Sequence, residues 1–167
     1  MKYKLTDETK EYFGRTLHRI VCVTEFANVA AGDLGGWIES EKNLDQSGNA
    51  WVSDNAQVSG NARVSGNAQV YDNAQVYGNA RVYGDAQVSG NARVKKTADY
   101  IVLKNNWSSG RYFTYTLSNK MWKVGCFYGT GEELIKKAYS DSELSGKCYE
   151  AAVRYVEALE KIQAEVK

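Results

Sequence analysis

The sequence predicts a mostly β protein built on a parallel β-helix over residues 44–99, with an N-terminal β cap over 1–43 and a C-terminal α+β module over 100–167. Three observations carry that expectation. From Gly48 the chain keeps a period of six, with Val at 52, 58, 64, 70, 76, 82, 88 and 94 and Ala at 50, 56, 62, 68, 74, 80, 86, 92 and 98. Each hexad is interrupted by Gly or Asp followed by Asn or Asp, residues that favour turns and left-handed backbone angles. On either side the period stops, giving way to an apolar strand-like run before it and to strand and helix signals after it.

The period excludes the simpler readings of the repeat. Six residues advance about 600° on an α-helix, so successive Val side chains would spiral around its surface instead of forming a stripe. A continuous flat strand fails at every Gly-Asn or Asp-Asn corner. A short strand and a corner, repeated, places Val and Ala on the inside, and each coil shares its backbone hydrogen bonds with the next. One coil buries too little apolar surface to offset the ordering of its own backbone, so stacking and end caps are required. The phrase V-[SY]-[GD]-[ND]-A-[QR] resembles the hexapeptide repeat of left-handed β-helix proteins. That resemblance implies a left-handed prism with three hexads per triangular coil and roughly three coils.

Only the outward columns are then free to carry function. The residue after each Val reads Ser53, Ser59, Ser65, then Tyr71, Tyr77, Tyr83, then Ser89 and Lys95. The residue before each Val reads Trp51, Gln57, Arg63, Gln69, Gln75, Arg81, Gln87 and Arg93. Arg63 and Arg81 fall one above the other, near Ser65 and Tyr83, and the three Tyr form a belt of one per face. Aromatic rings and guanidinium groups on a rigid surface give contact area at small entropic cost. Trp51, Arg63, Tyr71, Tyr77, Arg81, Tyr83 and Arg93 are therefore the candidate ligand- or partner-binding residues. The belt also suits packing between subunits, and proteins resembling this repeat are usually trimers, so a homo-oligomer, a trimer above other forms, is expected.

Before the repeat, "TLHRIVCVTEF" reads as a strand and "GDLGGWIESE" as a Gly-rich turn leading to Trp37 and Ile38. His18 is read as a structural residue within that strand, because no second His exists to share a metal. After the repeat, strands are expected at 101–103, 112–117 and 122–127. Thr130 and Glu133 make a capping box opening a short helix through Lys137, and a last helix runs from about Gly146 to Val166. Its apolar stripe is Tyr149, Ala152, Val153, Val156, Leu159, Ile162 and Val166. Cys22, Cys126 and Cys148 lie far apart without a CxxC pair and are expected to be buried, reduced thiols.

A net charge of +1 gives no reason to expect non-specific nucleic-acid or membrane binding, and no apolar run reaches the ~20 residues of a membrane span. The first residues lack the apolar core of a secretory signal, and a cytoplasmic location is expected. The repeat holds no His, so the base that hexapeptide-repeat acyltransferases use is missing from the coils. There is no GxSxG, phosphate loop or close Cys-His pair. No catalytic residue, metal site or cofactor is therefore expected. "WKVGCFYGTGEELIKKA", together with "GWIESEKNLDQSGNAWV", resembles modules of uncharacterised phage and prophage proteins. That resemblance implies a phage origin and carries no reaction. The resulting expectation is a non-catalytic binder that blocks a host protein or sequesters a small anionic, nucleotide-like signal in counter-defence. An acyltransferase-like enzyme and a structural scaffold are the alternatives.

Overall fold

The computed structural model describes residues 1–166. Three N-terminal strands, β1 (Tyr3–Tyr12), β2 (Arg15–Cys22) and β3 (Leu34–Ile38), precede the repeat. Each hexad then gives one two-residue strand: β4 (Trp51–Val52), β5 (Gln57–Val58), β6 (Arg63–Val64), β7 (Gln69–Val70), β8 (Gln75–Val76), β9 (Arg81–Val82), β10 (Gln87–Val88) and β11 (Arg93–Val94). Strands three apart in sequence pair in parallel, so that β4, β7 and β10 make one face, β5, β8 and β11 a second, and β6 and β9 a third. This is a parallel β-helix of about three turns. The Val and Ala columns fill it: every Val from 52 to 94 and every Ala from 50 to 92 has 0% exposure. Ala98 departs from the pattern, lying exposed in a 3-10 turn (Thr97–Asp99) that ends the coil.

The corners explain why the repeat alternates Gly with Asp. Every corner residue from Gly48 to Gly90 is left-handed, including Asp54 at φ 55° and Asp72 at φ 57°. Asp tolerates that angle and adds a bond Gly cannot make. The Asp54 carboxylate accepts the Asp72 N–H at 3.1 Å, and the Asp72 carboxylate accepts the Gly90 N–H at 3.0 Å. Beside them, side-chain amides climb the prism from Asn49 to Asn67 and from Asn67 to Asp85, at 3.3 and 3.1 Å.

Stacking has a direction. The N–H of one coil donates to the C=O of the next, as from Gln57 to Ala74 and from Ser59 to Val76, both at 3.0 Å. The first coil therefore presents carbonyls that no earlier full coil serves, those of Ala56, Val58 and Val64 taking the N–H groups of Trp37, Glu39 and Asp45, and the last coil ends in N–H groups with no further coil below. At the first end donors arrive: the buried Lys2 ammonium reaches the Ala50 carbonyl at 2.8 Å, the Tyr3 hydroxyl the Leu44 carbonyl at 2.6 Å, and the Asn43 amide the Ala62 carbonyl at 2.8 Å. At the last end acceptors arrive, one on each face. The Thr97 hydroxyl takes the Arg81 N–H at 3.0 Å, Thr114 the Gln87 N–H at 3.0 Å and Ser118 the Arg93 N–H at 2.8 Å.

The N-terminal segment is more than a plug. β3 runs parallel to β5, with Trp37 beside Gln57 and Ile38 beside Val58, and β2 and β1 add to it antiparallel. One sheet thus runs β1-β2-β3-β5-β8-β11. The strand β1 was not expected from its polar sequence.

At the other end β12 (Tyr100–Lys104), β13 (Tyr112–Thr116), β14 (Met121–Val124) and β15 (Phe127–Gly129) form an antiparallel sheet laid across the last coil. Its strands alternate. Tyr100 and Val102 pack on the prism core, while Ile101 and Leu103 pack with Phe113, Tyr115 and Trp122 against the helices. Helix α1 (Gly131–Asp141) opens on Thr130, whose hydroxyl accepts the Glu133 N–H at 3.3 Å. Helix α2 (Glu143–Glu165) starts earlier than the expected Gly146, because Ser142 caps it by accepting the Ser145 N–H at 3.0 Å. Tyr149, Val153 and Val156 are buried as expected, but Ile162 and Val166 are 55% and 81% exposed, since they point away from the sheet. Of the cysteines only Cys22 is buried; Cys126, in the β14–β15 turn, is exposed and Cys148 is half-buried.

Thr114→Val removes the acceptor from a covered N–H of the last coil. It should lower unfolding stability in urea by about 1 to 3 kcal/mol. A loss below about 0.5 kcal/mol would show that water serves this edge equally well.

Candidate functional site

The β1–β2 hairpin is longer than the face it joins. β2 pairs with β3 as far as His18 opposite Ile38, while the hairpin continues to Tyr12 opposite Arg15. Its tip, Phe13-Gly14, has positive φ at both residues, 48° and 75°, as a tight two-residue hairpin turn requires. An ion pair fixes the tip to the prism. Arg15 reaches both oxygens of Glu39, at 2.9 and 2.8 Å, and Glu39 also accepts the Gly60 N–H at 2.6 Å. Burial opposes the charge on Glu39, but the Gly60 N–H and the Arg15 guanidinium outweigh it and hold the carboxyl below its usual range.

Between this tip and the β5-β8-β11 face lies a cleft of about 460 Å³. Tyr12 and Phe13 form its outer lip, ring centroids 4.6 Å apart and edge-on. Its floor is the outward column Gln57, Gln75 and Arg93, and its side wall is the corner column Ser59 and Tyr77. Trp37, next above Gln57, is closed off from solvent, with Lys10 4.4 Å and Arg19 5.4 Å from its ring. Among the described residues the buried Gln57 Oε1 atom has no hydrogen-bond donor, nor has the Trp37 indole N–H an acceptor. A covered polar atom without a partner costs free energy.

The seven residues expected at a binding surface separate into four places. Tyr77 and Arg93 line this cleft. Arg63, Arg81 and Tyr83 line a second groove of about 480 Å³ with Asp45 and Ser65, on the β6-β9 face, where Arg63 pairs with Asp45 at 3.0 Å and Tyr83 is 56% exposed. Tyr71 is half-buried, its ring 5.9 Å from the Lys123 ammonium. Burial raises its hydroxyl pKa, a hydrogen bond with Ser89 acting in the opposite sense. Trp51 is a correction: it is 4% exposed, because Tyr3 and Phe26 cover it edge-on with centroids at 6.5 and 5.5 Å. It belongs to the first-coil cap and cannot meet a partner. Sequence reasoning missed Tyr12, Phe13, Arg15, Gln57 and Gln75. The signal lay in "EYFGR", two aromatic residues before a turn glycine. His18 is half-buried in β2.

Glu39 makes the tip pH-sensitive. With its carboxyl pKa depressed in the folded state, the stabilisation it gives is present above the ordinary glutamate value of 4.5 and is lost as pH falls from there through the lowered value. The protection of the amides at residues 12–15 against hydrogen exchange, taken relative to their intrinsic rate at each pH, should fall over that acid range, while in Glu39→Gln it should be low already at neutral pH and show no step there.

Comparison with known proteins bears on the repeat. Residues 56–72, 74–87 and 86–95 match the YdcK beta solenoid repeat. The uncharacterized acetyltransferase YdcK of Escherichia coli strain K12 is 34% identical over 59 residues, which cover 30% of this chain. The match takes in 18% of that protein's own length, so the chain spans less than a fifth of it. This chain is a β-solenoid repeat protein whose repeat is similar to that of YdcK.

Proposed function

We propose that the protein acts by binding, and that the cleft under the hairpin tip takes a small, planar, anionic molecule of nucleotide type. One observation carries the reading: the rings of Tyr12, Phe13 and Tyr77 and the guanidinium of Arg93 line one cleft, over a floor that includes the side chains of Gln57 and Gln75. A planar ring stacks on the aromatic wall and leaves its anionic group to Arg93. Arg15 is engaged by Glu39 and serves the tip. In the phage setting implied by the sequence resemblance, such a site sequesters a signal molecule and so acts in counter-defence.

The name of the related YdcK favours a second reading, acyl transfer. Such a reaction needs a base within about 3 Å of the acceptor's proton. Among the residues lining the cleft there is neither a histidine nor a carboxylate, and His18 is not one of them.

Calorimetric titration with cyclic and linear adenine and guanine nucleotides tests the proposal. Binding of one class is expected, weakened about 10- to 100-fold by Arg93→Ala, as for loss of a charged hydrogen bond. Tyr77→Ala should weaken it without changing the melting temperature, and Tyr83→Ala should leave it unchanged. If no nucleotide binds and a host protein is captured through the same residues, the ligand class is wrong. Turnover of an acetyl thioester that is abolished in His18→Ala would replace binding with catalysis.

A further inference from the structure

Helix α2 carries a second apolar stripe on the side away from its own sheet. Leu144, Tyr155 and Ile162 are 59%, 53% and 55% exposed, Ala151 and Ala158 are exposed, and Cys148 is half-buried. They are spaced 4, 3, 4, 3 and 4 residues apart, the heptad spacing of a helix-pairing seam. Apart from Glu160, which turns to Tyr115 and Lys120 of the sheet, the charged residues of the helix keep to another strip, so apolar side chains cover more than half of its circumference.

We infer that this stripe pairs with the α2 stripe of a second copy, antiparallel, about a twofold axis that crosses the seam at the height of Val153 along the helix. The sequence of the stripe carries the inference. Leu144 and Ile162 stand nine residues either side of Val153, Cys148 and Ala158 five, and Ala151 and Tyr155 two. Antiparallel pairing therefore lays the Tyr155 ring over Ala151 of the other copy and matches Leu144 with Ile162, each large side chain meeting space it can fill. Parallel pairing sets Tyr155 against Tyr155 and Ala against Ala, alternately crowded and hollow, which close packing disfavours. The rim permits close approach because it is neutralised within the chain. Lys147 pairs with Glu143 at 2.8 Å, and Arg154 with Glu132 and Glu157 at 2.7 and 3.1 Å. A membrane-surface helix carries a basic polar face, and this one alternates sign.

The seam is about 27 Å long and one helix wide. It buries several hundred Å² a side, at the low end of specific interfaces, so monomer and dimer should exchange at micromolar concentration.

Sedimentation velocity from about 1 to about 100 µM, the range of a small interface, should show a concentration-dependent dimer. Tyr155→Glu with Ile162→Glu should weaken association at least about 100-fold, as expected for hot-spot side chains, with an unchanged far-ultraviolet circular dichroism spectrum. Direction is read by cross-linking in a Cys126→Ser background. Adding Ala158→Cys should give a disulfide-linked dimer on mild oxidation, and Cys148 alone should not. A wild-type monomer throughout, a trimer, a Cys148-to-Cys148 link, or a seam variant that sediments as wild type would each overturn the inference. So would a wild type that is monomeric in solution and floats with anionic vesicles.

Discussion

The polarity of the parallel ladder governs this molecule. Since each coil gives its N–H groups to the next, the two ends of the prism are chemically opposite, one a rim of carbonyls and the other a rim of amides. The chain closes them with opposite chemistry: a lysine, a tyrosine and an asparagine donate at the first, and two threonines and a serine accept at the last. Exposed edges of this kind recruit further strands, so closing both also limits growth of the prism into fibres. The C-terminal sheet is shaped by the same demand. Thr114 faces the coil while its neighbours Phe113 and Tyr115 face the helices, so one strand serves an edge and a second core together.

The interior was legible from the sequence because it obeys a local rule. Val and Ala two apart, with a left-handed residue between hexads, fix which side chains face inward without knowledge of anything distant. Asp54 and Asp72 show the limit of that rule: their fitness for the angle is local, but their bond to the coil below depends on residues eighteen further on. Trp51 was misread for the same reason. Its column points outward, and what covers it comes from Tyr3 and Phe26, far away in the chain. The hydroxyl caps became visible only once the stacking direction was known.

The candidate site was half legible. Tyr77 and Arg93 come from the repeat, where periodicity places them outward; the lip that turns a face into a cleft comes from β1, a strand whose polar composition hid it. In α2 the expected single stripe mixed two: Val153 and Val156 face the sheet, whereas Ile162 and Val166 face outward. Helical periodicity marks an apolar residue without saying which of two surfaces it serves.

Because all coils are joined by identical bonds, the number of coils is independent of how the ends are closed. The hairpin is fixed at one end and the C-terminal sheet at the other, so the distance between them is set by counting turns, about 4.8 Å for each. The protein is in this sense a ruler. Gain or loss of eighteen residues resizes the floor of the cleft by a whole step while both rims keep their partners, giving the lineage a way to change what the cleft accommodates without redesigning either end.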